Sequence, residues 1–321
     1  FQKTRHVHII ACGTSYHAGM VARYWLERYA GVPVQVEVAS EYRYRHPVVP
    51  EGTLFVTLSQ SGETADTLAA LRFAKTLNYV GSLAICNVPG SSLVRESDMS
   101  LMTRAGPEIG VASTKAFTTQ LIALMLLTLS VSKAKGQPEQ PEIIGALQAL
   151  PALCQQVLGL DRQIEVLSQA FAEKHHALFL GRGAHYPIAL EGALKLKELG
   201  YIHAEGFAGG ELKHGPIALI EEGLPVLCVV PPKGRDQLHG KMLSAIQEVR
   251  ARGARTICLA EEGDRAVASV ADTVIELPKV PVLLQPLLAV VPLQLFACEL
   301  ATAMGHDVDQ PRNLAKSVTV E

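Results

Sequence analysis

Short apolar runs bounded by glycine, proline and small polar residues recur along this chain, and the segments between them carry apolar positions three or four apart. The first run is His6-Val7-His8-Ile9-Ile10-Ala11, and others fall at 53–58, 82–86 and 100–103. Strand-length runs alternating with helix-period segments predict a parallel α/β architecture. The longest apolar stretches, 121–129 and 280–291, are interrupted or short of the about 20 residues needed to cross a bilayer. The first is expected to be a buried helix, the second a strand end running into a helix.

The pattern is used twice. A second series opens with His176-Ala177-Leu178-Phe179-Leu180-Gly181-Arg182-Gly183, and setting Gly13 against Gly183 gives an offset of 170 residues. Near that offset 53–58 meets 225–230, 82–86 meets 256–259, 100–103 meets 273–277, and a helix at 115–129 meets one at 285–303. Ordered correspondences of this kind predict a duplicated domain. A first domain is expected over 1–135, a second over 142–305, and a C-terminal tail over 306–321 with no counterpart in the first half. Each domain is expected to be a parallel sheet flanked by helices, a doubly wound, flavodoxin-like three-layer α/β/α fold. The break falls in a polar stretch with two prolines at 133–141. Polar tails fray, but Val308, Leu314 and Val318 offer this one apolar anchors.

A length of 321 residues suits two domains, and 19% charged with 48% apolar residues fits a soluble globular chain rather than a disordered one. The net charge is −2 with both signs mixed along the chain, so no nucleic acid or membrane partner is expected and any phosphate must be held locally. Six scattered cysteines without a Cys-x-x-Cys pair read as reduced thiols in a cytoplasmic protein. Cys12, beside a glycine turn, is where a nucleophilic or metal role stays open, with little to support it. No signal peptide precedes the first strand, and Phe1 in the place of Met is expected to mark a piece of a longer protein.

The first chemical signal is Ser59-Gln60-Ser61-Gly62-Glu63-Thr64, followed by a helical pattern through Leu68, Leu71 and Ala74. A helix N-terminus offers unpaired N–H groups and partial positive charge, which suits a phosphate. Hydroxyls and an amide add donors, and Gly62 is expected to let the backbone approach the ligand. The alternative is capping alone, with Ser59 or Ser61 as N-cap and Glu63 completing a capping box. That leaves the other hydroxyls without a role. Gly13-Thr14-Ser15 and Val111-Ala112-Ser113-Thr114 repeat the device. A dinucleotide site competes, but Gly181-Arg182-Gly183 lacks the third glycine, so no cofactor is expected. In the second half Pro231-Pro232-Lys233-Gly234 stands where a serine corner would be.

The second signal is Glu191, Lys195 and Glu198, at i, i+4 and i+7 on one helical stripe shortly after Pro187. It is either a solvated face of ion pairs or an acid–base group at the ligand end of a parallel sheet. The glycine-rich segment 201–216 follows, with His203, Glu205, Glu211, Lys213 and His214. Their spacing matches no common ligand pattern, so no metal is expected. A carboxylate and an imidazole suit proton transfer at neutral pH.

These segments are similar to those of a known family. Ala11-Cys12-Gly13-Thr14-Ser15, the serine corner at 59–64 and Val111-Ala112-Ser113-Thr114-Lys115 resemble the three sugar-phosphate-binding segments of the SIS (sugar isomerase) family. The segments 191–198, 211–216 and 309–321 resemble the isomerase region of the glucosamine-6-phosphate synthases within it, over essentially the whole chain. The resemblance implies a homodimer that converts fructose 6-phosphate to glucosamine 6-phosphate with ammonia from an N-terminal glutaminase domain. Alone, the chain would isomerise the sugar, giving glucose 6-phosphate, and would not hydrolyse glutamine. It implies that Ser59, Gln60, Ser61 and Thr64 hold the phosphate, while Thr14, Ser15, Val111, Ser113 and Ala315 line the sugar. His214, from a neighbouring subunit, would open the ring. Lys316 would meet the C2 carbonyl as a Schiff base or assist ring opening. Glu198 would move the proton between C1 and C2, with Lys195 tuning its charge and helping at the hydroxyls. Two rivals remain. A phosphosugar sensor would need the serine corners but not Glu198, His214 and Lys316 together. Another SIS enzyme, such as a fructosamine-6-phosphate deglycase or a simple isomerase, would lack the tail at 309–321.

Overall fold

A computed structural model describes residues 1–234 and 237–319. Val320 and Glu321, the end of the expected tail, lie outside the described residues. The chain forms two compact units, one of Phe1–Gln140 with Asn313–Glu321 and one of Pro141–Arg312. The tail expected over 306–321 is therefore divided, 306–312 packing with the second unit and 313–319 with the first.

In the first unit β1 (His6–Ala11) leads into α1 (Gly13–Trp25), which ends in a π-helical turn at Leu26–Ala30. Next come β2 (Val34–Val38), α2 (Ala39–Tyr42), β3 (Thr53–Ser59), α3 (Ala65–Ala74) and β4 (Gly81–Cys86). The unit continues with α4 (Ser92–Glu96), β5 (Met99–Met102) and α5 (Lys115–Ala134). The strands form one parallel sheet in the order β2-β1-β3-β4-β5. The order reverses between β1 and β3, so right-handed crossovers send successive helices to opposite faces. That explains why β3 is buried at every position rather than at alternate ones.

The second unit begins with α6 (Pro141–Leu158) and α7 (Asp161–Gln169), which precede β6 (His176–Gly181), α8 (His185–Gly200) and β7 (His203–Ala208). Two 3-10 turns follow at Glu211–His214 and Pro216–Leu219, then β8 (Pro225–Val229) and α9 (Leu238–Arg250). β9 (Arg255–Glu261), α10 (Arg265–Ala268), β10 (Thr273–Leu277) and α11 (Gln285–Ala303) complete it. Read from its β7 edge, the parallel sheet runs β7-β6-β8-β9-β10, the same topology as the first.

Two expectations change, and one strand is added. Within the glycine-rich segment 201–216, β7 is an edge strand paired with β6. Its glycine and charged residues hid it; β2, at the matching edge of the first sheet, alternates Val34, Val36 and Val38 with Gln35 and Glu37 and was also left out of the sequence reading. β10 stops at Leu277, so the apolar stretch from Val280 starts in a turn, not in a strand. Finally, the helices holding the two longest apolar stretches have 20 and 19 residues and are long and apolar enough, by length and composition, to cross a membrane. α6 and α7, bent by 44°, pass that test only as a pair. Hydroxyls interrupt the run in α5, and these fold back onto helix carbonyls, as Thr128 Oγ1 does to Leu124 O at 2.8 Å. Both helices are packed within their own units, α5 against α1 and β4, α11 against α8, α7 and α6. Most of their apolar surface is core, with Leu126 of α5 left exposed.

The duplication reaches to hydrogen bonds. At the start of β4, Ser82 N and Oγ donate to Asp98 Oδ2 at 2.7 and 2.8 Å, and Asp98 N donates back to Ser82 Oγ at 3.0 Å. In the second unit Thr256 N and Oγ1 donate to Asp272 Oδ2 at 2.8 Å each, and Asp272 N returns to Thr256 Oγ1 at 3.0 Å. Each clasp ties the start of one strand to the entry of the next. The bonds from Ser82 hold the Asp98 carboxyl below its usual range. Burial works against the charge of Asp272, but the bonds from Thr256 and the neighbouring Arg250 outweigh it and also keep its carboxyl low. In the first core His8 is buried, with Nδ1 2.7 Å from the Tyr79 hydroxyl and Nε2 2.8 Å from Glu37. Burial keeps this imidazole below its usual range despite the pull of Glu37.

Asp98→Ala strips two donors of their acceptor and is expected to cost about 1–3 kcal/mol in urea unfolding, with Asp272→Ala costing a similar amount. The pH dependence follows from the directions of shift. A depressed carboxylate stabilises above its unfolded value of about 3.9 and loses that contribution as pH falls through the folded value. A depressed histidine stabilises above about 6.5 and loses its contribution as pH falls below that. Unfolding midpoints should therefore fall from about pH 6.5 downward and fall again below about pH 4; a midpoint that rises on acidification would contradict both assignments.

Candidate active site

The C-terminal ends of β1 and β3 flank the point where strand order reverses, and parallel sheets of this kind bind ligands outside such a point. Ser59, the last residue of β3, is buried, and its Oγ accepts from Gly62 N at 2.9 Å and lies 3.2 Å from Thr64 Oγ1. Ser61 Oγ accepts from Glu63 N at 3.2 Å. α3 starts after Thr64, which makes no side-chain cap. Glu63 completes no capping box there; its carboxylate turns aside and accepts from Ser92 N at the start of α4, at 2.8 Å. Arg43 holds Asp66 at 3.2 Å. The two nearest acids are thus engaged elsewhere, and the corner keeps hydroxyls and the N-terminus of α3. Gly62 has φ +69°, and a Cβ there would run into Ser91 and Cys86. Packing inside the protein by itself requires a glycine here.

Ser15, on α1, is buried and accepts from Gln120 Nε2 on α5 at 2.9 Å. Thr14 and Gln60 are half-buried nearby in sequence, as are Val111 and Ser113 in the loop before α5. That loop is organised by Glu108, whose Oε1 accepts from Thr114 N at 2.6 Å, Thr114 Oγ1 at 3.2 Å and Ala116 N at 3.4 Å. Its Oε2 is buried without a hydrogen bond and faces Lys316 Nζ at 3.6 Å. Lys316 Nζ also donates to Gly110 O at 2.6 Å. Beyond it Ser317 Oγ lies 3.0 Å from Ser61 Oγ, and Ala65 N, at the start of α3, donates to Val318 O at 3.1 Å. Polar contacts therefore hold the end of the tail. Of the three apolar anchors that the sequence suggested, Val308 is half-buried, while Leu314 and Val318 are exposed, as is Ala315.

In the second unit the turn from β6 into α8 is tight enough that a Cβ on Gly181 would meet the His185 backbone, which accounts for this glycine without a dinucleotide. Along α8, Glu191 and Lys195 are 0% and 1% exposed, and Lys195 Nζ lies 3.5 Å from Glu191 Oε1. Lys195 also donates to Glu198 Oε2, whose side chain is 21% exposed. The stripe is buried rather than solvated. Burial works against the charge of Lys195, but Glu191 and Glu198 outweigh it and hold the ammonium above the usual lysine range. Its ammonium points at Glu198, with the carboxylate of Glu198 partly open. His214 ends the 3-10 turn Glu211–His214 with an exposed ring. His203 Nε2 and Glu205 Oε1 pair at 3.0 Å on β7, and among the described residues no three metal-ligating side chains converge.

The structure thus gathers Ser59, Ser61, Thr64 and Lys316 in one unit, and Lys195 with Glu198 in the other. The sequence reading missed Glu108 and Gln120. Glu108 sits in an irregular segment with no motif, Gln120 in the middle of an apolar helix. Glu191 was read with Lys195 and Glu198 as one stripe, and the structure adds that it is fully buried.

The family model described as SIS domain matches residues 1–130 and 170–304. The chain is 58% identical over 324 residues to a glutamine–fructose-6-phosphate aminotransferase (isomerizing) of Pseudomonas putida, covering 100% of this chain and 52% of the relative. It is 58% identical over 321 residues to the enzyme of the same description from Escherichia coli K12, covering 99% of this chain and again 52% of the relative. The chain spans about half the length of the curated relatives it matches. Among solved structures it resembles the C-terminal domain of glucosamine-fructose-6-phosphate aminotransferase from Francisella tularensis, with a TM-score of 0.90, 52% identity, 96% of this chain and 87% of that one covered. A glucosamine-6-phosphate deaminase from Thermotoga maritima, at 24% identity and a TM-score of 0.76 over 98% of this chain and 91% of its own, shares the fold. Two matched segments coincide with two sheets of one topology, and the chain belongs to the SIS-domain family, carrying the domain twice.

Proposed function

We propose that this chain is the sugar-phosphate isomerase part of a glutamine–fructose-6-phosphate aminotransferase, acting in the cytoplasm as a homodimer, with ammonia supplied by a glutaminase domain of the full-length protein. The observation that carries this reading is the amine of Lys316 brought, with Ser317, onto the unit that holds the serine corner. A sensor of phosphosugars has no use for an amine there. The first domain, 1–135, takes the phosphate, the second, 142–305, supplies the acid–base residues, and the tail supplies the amine.

In this reading Ser59, Gln60, Ser61, Thr64 and the N-terminus of α3 hold the phosphate of fructose 6-phosphate. Thr14, Ser15, Val111, Ser113 and Ala315 line the sugar. His214 of a second copy carries the proton from the anomeric hydroxyl to the ring oxygen, opening the ring. Lys316, after giving up a proton to water, adds to the C2 ketone as a neutral amine and expels water to form an imine, and ammonia then displaces it. Glu198 takes a proton from C1 and returns it to C2; the C2 imine becomes an amine while C1 becomes the aldehyde of glucosamine 6-phosphate. Without ammonia the same proton transfer yields glucose 6-phosphate. Lys195 is the poorer candidate for the imine, because two carboxylates hold it as a buried ammonium. Its part is to fix the Glu198 carboxylate.

Two measurements test the roles. In a coupled assay for glucose 6-phosphate formed from fructose 6-phosphate, Glu198→Gln is expected to lower turnover by about 10²–10⁴-fold with sugar-phosphate binding retained by calorimetry. Turnover at the wild-type rate would remove Glu198 from the mechanism; binding without turnover in the wild type would favour the sensor. In the same assay Ser61→Ala should weaken fructose 6-phosphate binding by about tenfold, with kcat little changed, through loss of one donor to a charged group. An unchanged affinity would move the phosphate away from this corner.

A further inference from the structure

Glu108 divides its two oxygens between two tasks. Oε1 accepts from Thr114 N, Thr114 Oγ1 and Ala116 N, closing the N-terminal turn of α5 behind Ser113. Oε2 makes no hydrogen bond, and the side chain is 4% exposed, a costly position for a carboxylate oxygen unless a cation faces it. The cation there is Lys316, 3.6 Å away, whose Nζ is also bonded to Gly110 O. Both partners of Lys316 lie in the segment before α5 that carries Val111 and Ser113. The lysine arrives from more than two hundred residues away in sequence on a tail without regular structure. Leu314 and Val318 bury too little to fix such a tail, so its register rests on polar contacts, and Glu108 is the charged one.

We infer that Glu108 is a positioning residue that seats the Lys316 amine and thereby couples the order of the tail to the order of the sugar loop at 108–114. Resting on the isomerase reading, Glu108 acts on catalysis only through Lys316 and touches no reacting atom. Two consequences distinguish this from a helix cap. Removing the charge while keeping an acceptor must loosen the tail without melting α5. The loss of activity must also vanish when Lys316 is already absent.

Glu108→Gln keeps a carbonyl for Thr114 and Ala116 and removes the charge facing Lys316. Hydrogen exchange, read without substrate, is expected to be about tenfold faster in the tail peptide 313–319 and at the Ala65 amide that Val318 covers, with the 115–134 helix and the melting temperature unchanged. In the fructose 6-phosphate assay the same variant should lose about tenfold in kcat with KM little changed, and should add no further loss to Lys316→Ala. Tail exchange at the wild-type rate overturns the proposal, whether or not the chain isomerises sugars. So do losses for Glu108→Gln and Lys316→Ala that multiply in the double variant. Glu108→Ala serves as the comparison for capping: it should loosen the start of α5 as well as the tail, and a variant that loosens α5 alone also overturns the assignment.

Discussion

In a parallel sheet every strand ends on the same side, and every helix that follows a strand begins there with its first amide groups unpaired. These donors have to meet something: a side chain, water or an anion. The first unit answers at three corners, after β1, after β3 and before α5, with hydroxyls on small residues, and at the β3 corner the carboxylates are directed elsewhere. Glu63 turns to Ser92 and Asp66 to Arg43, while Glu108 closes α5. α1 has no acid in its first turn, the acid in the first turn of α3, Asp66, is paired with Arg43, and Val318 of the tail accepts from the α3 start.

The second unit uses the same sheet for a different purpose. Its equivalent corner after β8 opens with Pro231 and Pro232 rather than serines. α8 instead carries two carboxylates and a lysine on one stripe, and the interior of the unit turns these into a fixed group. A buried ammonium survives between Glu191 and Glu198 because their combined attraction exceeds the cost of burial. The cost is met only if the geometry is rigid, and α8 is clamped along its length by β6, β7 and α11. A carboxylate that moves protons benefits from being held in that way.

Duplication left marks at two levels. The coarse one, strand against strand at an offset of 170 residues, was legible from apolar runs alone. The fine one, Ser82 with Asp98 and Thr256 with Asp272, was not, since a hydroxyl and a carboxylate sixteen residues apart carry no periodic signal. The edge strands β2 and β7 escaped notice for a related reason. An edge strand buries only part of its surface, so glycine and charged residues are tolerated and the apolar run breaks up.

By itself the sequence determined the fold class, the duplication, the inner strands, the helix starts rich in hydroxyls and the stripe of acid and base on α8. Each of these is a local pattern with a period or a spacing, and burial forces such patterns onto neighbouring residues. Only the tertiary structure decided that Gly62 serves packing, that Glu63 caps a different helix, that Lys195 is enclosed rather than solvated, and that Glu108 meets Lys316. Those facts join residues tens to hundreds of positions apart, through single contacts rather than repeated ones. A single contact leaves no rhythm in the chain, because the path that brings its two ends together is set by the packing of everything between them.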